Sequence, residues 1–204
     1  MLGCLVEKRM STPDQYPLTV NALLNACNQS TNRSPVVRYE EHTVTEALTH
    51  LRELGLTRIV YSTSNRAPKH RHVLDEELGL DPGELAVLAV LALRGPQTAG
   101  ELKLRTERMH PFATVEDVEV TLAGLSTGDD PLTVRLPRRP GQKEARHAHL
   151  LAGPVDVELL AEADGAEGPP GRHRRAAADE RIEALEARIE ALEDVVAQLR
   201  TLLD

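Results

Sequence analysis

The chain has 204 residues, enough for one or two domains with a real hydrophobic core. Its formal net charge is −8, which by itself argues against a generic nucleic-acid binder, and with one Phe, three Tyr and no Trp the core must be built from Leu, Val, Ile and Ala. Cys4 and Cys27 fall in apolar helical patterns and read as buried, reduced thiols. The longest apolar run, Leu85 to Leu93, is too short to cross a bilayer. No signal peptide is visible, so a cytoplasmic protein with no membrane partner is expected.

Leu2, Leu5 and Val6 suit the last turns of a first helix, followed by a loop at Ser11 to Pro17. Val20, Leu23, Leu24 and Cys27 recur at i, i+3, i+4, i+7, one apolar face of a helix, with Thr19 placed to cap it. A polar turn follows, Asn28-Gln29-Ser30-Thr31-Asn32-Arg33. Thr43-Val44-Thr45-Glu46 reads as a capping box opening a second helix. Its buried side is expected to be Val44, Ala47, Leu48, Leu51 and Leu54, with Gly55 as the stop. Thr57 to Tyr61 and His70 to Leu74 are β-prone and make a hairpin around a polar loop, and an acidic connector runs from Asp75 to Leu80. Helix, polar turn, helix and basic hairpin is the layout of a winged helix-turn-helix.

The pattern then recurs. Asp81, Pro82 and Glu84 suit the N-cap, first residue and reciprocal cap of a helix whose Leu85 to Leu93 is apolar nearly all round, a buried spine ended by Gly95-Pro96. Thr98 and Glu101 box the next helix, which runs to about Arg108. Thr114 opens another with Val115, Val118, Leu122 and Leu125 on one face. Leu132 to Leu136 and Ala145 to Leu151 form a second hairpin. Thr43, Val44, Ala47, Leu51 and Leu54 map onto Thr114, Val115, Val118, Leu122 and Leu125 at one constant offset, as an internal duplication would give. Residues 153–178 have linker composition. In 179–204, Ile182, Leu185, Ile189, Leu192, Val196, Leu199 and Leu203 alternate by three and four as a dimeric coiled-coil seam. In a parallel pair Arg181 faces Glu186 of the second copy, and Arg188 faces its Glu193. The alternative is a helix that docks on its own domains.

Several long motifs carry a family resemblance: Glu7-Lys8, Thr12 to Leu18 (TPDQYPL), Ala26 to Pro35 (ACNQSTNRSP) and Leu93 to Leu102 (LRGPQTAGEL). Over roughly residues 1 to 152 the chain resembles the YceH family of bacterial proteins. The resemblance implies two winged-helix domains in tandem, here 1–74 and 81–152, and implies no activity. Members usually carry a further half-helix before Gly3, so a short first helix is expected. The fold class is therefore mainly α with small β-wings, plus the C-terminal helix.

The hairpins are the candidate contacts to nucleic acid. The first carries Arg58, Arg66, Lys69 and Arg71 with no acid; the second carries Arg135, Arg138, Arg139, Lys143 and Arg146 against Glu144 alone. The plain alternative is a solvated hairpin that uses cations to blunt a sheet edge. Arg33, with no capping duty, is the candidate in the polar turn. The helices in the recognition position argue the other way, since Glu40, Glu41, Glu46 and Glu53 face one lone Arg52, and Glu116, Asp117 and Glu119 face no base. His70 with His72, and His147 with His149, are half of a metal site at most, and no cluster completes them. No catalytic motif is present, so neither enzyme nor cofactor is expected. Two functions remain: a DNA-associated regulator contacting duplex through its wings, and a scaffold whose winged helices dock partner proteins.

Overall fold

The computed structural model describes residues 1–61, 67–138 and 142–155, and the first 155 residues form one compact unit. Among the described residues, α1 (Leu2–Ser11) is followed by a short 3-10 turn and by α2 (Val20–Cys27) and α3 (Glu41–Glu53). Strands β1 (Thr57–Val60) and β2 (Lys69–His72) pair antiparallel, and α4 (Leu74–Leu78) and α5 (Pro82–Arg94) come next. Then α6 (Ala99–Thr106), α7 (Val115–Leu125), β3 (Thr133–Arg135) and β4 (His147–His149) repeat the order of α2, α3, β1 and β2.

The two halves are alike in detail. Leu18, just before α2, bridges His70 in β2, and Gln97, just before α6, bridges His147 in β4. Each bridge carries two backbone hydrogen bonds of 2.7–3.1 Å and gives its hairpin a one-residue third strand. Buried Thr57 opposes His72, and buried Thr133 opposes His149.

Caps explain most helix starts. The Thr19 hydroxyl accepts from the Ala22 amide, and reciprocal boxes close at Asp81/Glu84, Thr98/Glu101 and Thr114/Asp117. The box expected at Thr43/Glu46 does not form. Helix α3 begins at Glu41, and the Thr43 hydroxyl lies against the His42 ring. The helix starts three residues earlier than a Thr43 cap would place it, so Thr43 is already inside the first turn. Val44 and Leu48 are buried as expected, but Leu54 is 57% exposed. The acidic stretch after the first hairpin is not a plain connector: Leu74 is buried and begins α4, which Gly79 ends in the left-handed conformation (φ +65).

Helix α5 is the centre of the unit. Leu85 to Leu91 are all buried, as an all-round apolar helix must be. One side packs into the core of the second copy with Leu102, Val118 and Leu122. Leu93 enters the core of the first copy, beside Cys4, Leu5, Leu23 and Val44, and Leu85 and Ala89 meet Val6 and Leu74. The expected spine of the second half is thus shared by both halves. Gly3 permits the close crossing of α1 on α5: a Cβ there would stand 3.1–3.2 Å from the Leu93 side chain, the Ala89 carbonyl and Ala92 Cβ. Cys4 and Cys27 are buried and free.

Burial also sets the titration of the strand histidines. His72 is fully buried. Its ring sits 3.5 Å from the Arg9 guanidinium, and its backbone amide donates to the Tyr16 hydroxyl at 2.6 Å. Loss of water, then the Arg9 charge, lower its pKa to about 4. Burial also lowers His70, His147 and His149. A histidine held neutral in the fold is protonated first in the unfolded chain. Its contribution is therefore present above pH 6.5 and is lost as the pH falls towards 4, a swing of about 3 kcal/mol for His72. Urea unfolding should give lower stability at pH 5 than at pH 7, and His72→Gln should flatten that slope. An equally steep slope in the variant would show that His72 is not the group responsible.

Candidate nucleic-acid interface

The polar turn between α2 and α3 is built as a structural joint. The Arg33 side chain is only 4% exposed. Its Nη2 donates to Glu7 Oε2 at 2.6 Å and its Nη1 to Glu7 Oε1 at 3.2 Å, a bidentate pair reaching back to α1. Nε and Nη2 also donate to the Ala26 carbonyl at 3.1 and 2.8 Å, Nη1 to the Asn32 carbonyl at 2.8 Å and Nη2 to Gln29 at 3.2 Å. Arg33 has no donor left to present to a phosphate, which corrects the expectation for this residue. It has no capping duty in the sense of a helix N-cap, yet it satisfies a carbonyl at the end of α2. Asn28 holds the turn's far end, accepting from the Tyr39 amide at 2.7 Å and donating to its carbonyl at 2.9 Å. Asn32 adopts φ +58, and the Ser34 amide donates to the Leu93 carbonyl at the end of α5.

The two hairpins differ in charge. On the first, Arg58 pairs with Glu76 and Glu77 at 3.5 and 3.2 Å, and Arg71 with Glu76 at 2.5 Å. All three pairs are partly exposed and individually weak, but together they offset the charges of Arg58 and Arg71, two of the four cations expected to act on this wing. Lys69 is half-buried, and Arg66 lies outside the described residues. The cancelling acids come from α4, which folds back beside the hairpin. Nothing in the local sequence of the hairpin signals this.

On the second hairpin, Arg146 is held at the base, donating to the Pro96 carbonyl at 2.8 Å and pairing with Glu101 at 3.4 Å. Arg135, Arg138 and Lys143 are exposed, with no ion pair or hydrogen bond among the described residues. Arg139 lies outside those residues, as does the seam from Ile182 to Leu203. Among the described residues, the exposed cations without an ion pair on the hairpins are therefore those of the second wing. A cation absent from the candidates, Arg38, is also exposed on the turn before α3.

The helices in the recognition position stay acidic and partly apolar at their surface. On α3, Glu40 sits 3.4 Å from the His42 ring and Glu53 lies 3.8 Å from His50, all four side chains well exposed. On α7, Glu116 and Glu119 are exposed beside Val120, itself 72% exposed, and Leu104 on α6 is 78% exposed. Among the described residues no group of three or more His, Cys, Asp or Glu could hold a metal ion, and no helix is long and apolar enough to cross a membrane.

Paired helices, each followed by a small antiparallel hairpin tied back by a one-residue bridge, define a mainly helical, winged-helix-like protein. Residues 1–142 match the family described as "Protein of unknown function, DUF480", and the chain belongs to that family. It is 48% identical over 204 residues to a UPF0502 protein of Pelobacter propionicus, covering 100% of this chain and 92% of the relative. A UPF0502 protein of Geobacter sulfurreducens is 51% identical over 186 residues, 91% of this chain and 84% of the relative. One from Burkholderia multivorans is 45% identical over 203 residues, 100% of this chain and 83% of the relative.

The Arg33–Glu7 pair is open to a direct test. Arg33→Met leaves the Glu7 carboxylate, 13% exposed, without its partner and should cost about 3–5 kcal/mol in urea unfolding. Adding Glu7→Leu to that variant should restore much of the loss, because the stranded charge is removed as well. A single variant as stable as the parent chain would contradict the structural role given to Arg33.

Proposed function

We propose that this protein is a DNA-associated, duplicated winged helix that touches the duplex backbone through its second wing. The observation that carries this reading is the exposed trio Arg135, Arg138 and Lys143, without an ion pair among the described residues, on a protein of net charge −8. Cations concentrated on one projecting hairpin lie well for phosphate contacts, while the acidic faces of α3 and α7 disfavour deep reading of the major groove. The expected mode is therefore salt-sensitive backbone binding with little base discrimination, and no catalytic role. The C-terminal seam pairs two chains, so that two second wings act together.

A scaffold that docks partner proteins is the second reading. It is favoured by Val120 and Leu104, large apolar side chains left exposed on α7 and α6 beside Glu116 and Glu119.

Binding to duplex fragments under a salt titration tests the first reading. Arg135→Gln, Arg138→Gln and Lys143→Gln together should weaken binding and reduce the dependence of log K on log salt by roughly 3, and the corresponding Glu variants should abolish binding. Arg58→Glu should change little, since Arg58 is already neutralised. Binding retained in the triple Glu variant removes the wing from consideration, and no binding at low salt leaves the scaffold reading. Separately, Leu192→Pro should halve the mass in light scattering. An unchanged mass would mean that the seam is not where chains pair.

A further inference from the structure

A cleft opens where α1, the turn before α3, and the C-terminal ends of α5 and α6 meet, lined by Glu7, Asn32, Arg94, Arg105, Arg108 and Met109 among others. Three arginines from three positions along the chain line it. Arg94 donates to the Asn32 side chain, which fixes one edge of the guanidinium against the turn. Arg105 is held 3.5 Å from Glu101 on its own helix, and that carboxylate is shared with Arg146. Arg108 is exposed and has no hydrogen bond or ion pair among the described residues.

The one carboxylate lining the cleft, that of Glu7, has both oxygens occupied by Arg33, so its charge is already matched from behind. Cations in the last turn of a helix are expected for the sake of its carbonyl ends, and Arg94 and Arg105 serve α5 and α6 in that way. Arg108 lies beyond α6 and is surplus to that need. The crowding is felt within the cleft: burial, then the charge of Arg105, pushes Arg94 below the usual arginine range. Of the three, only Arg105 has an ion-pair partner among the described residues, a Glu101 carboxylate that it shares with Arg146; Arg94 and Arg108 have none. An oxyanion would complete this arrangement, and arginine matches phosphate geometry through paired N–H donors.

We propose that this cleft binds the phosphate group of a small solute, held by Arg94, Arg105 and Arg108. The site uses none of the second-wing cations and does not depend on the wing reading. The apolar side of the cleft, from Val90, Leu93 and Met109, suits a solute with carbon next to its phosphate, and the short-range recognition is of the phosphate itself.

The test is thermal unfolding of the full chain in inorganic phosphate against sodium chloride at matched ionic strength. Phosphate should raise the midpoint in a saturable way, and Arg105→Gln with Arg108→Gln should remove that rise. Arg108→Gln alone, at a residue on which no described contact depends, should weaken the apparent affinity several-fold and serves if the double variant folds poorly. No phosphate-specific rise, or the same rise in both variants, would overturn the site. Adding duplex DNA separates the two sources of phosphate: competition with inorganic phosphate assigns the cleft to a backbone phosphate, and its absence assigns the cleft to a free solute. Arg138→Glu should leave the phosphate effect unchanged, which keeps failure here distinct from failure of the wing.

Discussion

One buried guanidinium ties the first half of this protein together. Arg33 sits where α1, the end of α2 and the turn before α3 converge, and it satisfies Glu7, a terminal carbonyl of α2 and two groups of the turn itself. Burying such a charge is costly unless every donor is met, and here every donor is met. The consequence spreads outward. The turn is held in one shape, Asn32 reaches Arg94, and the Ser34 amide reaches the end of α5. The joint between the halves thus rests on polar geometry at one edge and on the crossing of α1 over α5 at the other. Apolar burial supplies most of the driving force there, and the polar turn supplies the register.

The second constraint is electrostatic, and it separates two hairpins of similar composition. Both are rich in Arg and Lys, and both are bridged back to a residue just before the first helix of their half, Leu18 or Gln97. Helix α4 lies beside only the first, and its Glu76 and Glu77 meet Arg58 and Arg71. Two similar hairpins thus present different surfaces: Arg58 and Arg71 of the first are met by carboxylates, whereas Arg135, Arg138 and Lys143 of the second face solvent with no ion pair among the described residues. Membership of a family described as of unknown function adds no chemistry to this picture. The functional reading rests on the asymmetry.

Much was legible before any coordinates. Helices α2, α5, α6 and α7 follow from apolar periodicity and from caps at Thr19, Asp81, Thr98 and Thr114, because a cap and the face it opens lie within a few residues. Both hairpins and the buried cysteines follow from the same local logic. The start of α3 did not, since the Thr43/Glu46 pattern is a valid box in isolation and lost to a turn whose length is set by distant contacts.

The sequence by itself determined the order of the elements apart from α4, and the apolar character of α5, which depend on neighbours within one or two turns of chain. Tertiary structure alone decided that α5 serves both halves, that Arg33 is a buried tie to Glu7, and that the acids of α4 meet Arg58 and Arg71 while Arg135, Arg138 and Lys143 stand exposed. Those outcomes depend on which side chains meet across tens of residues. The charge of an arginine is written in the sequence, but whether a carboxylate stands beside it is decided only by packing.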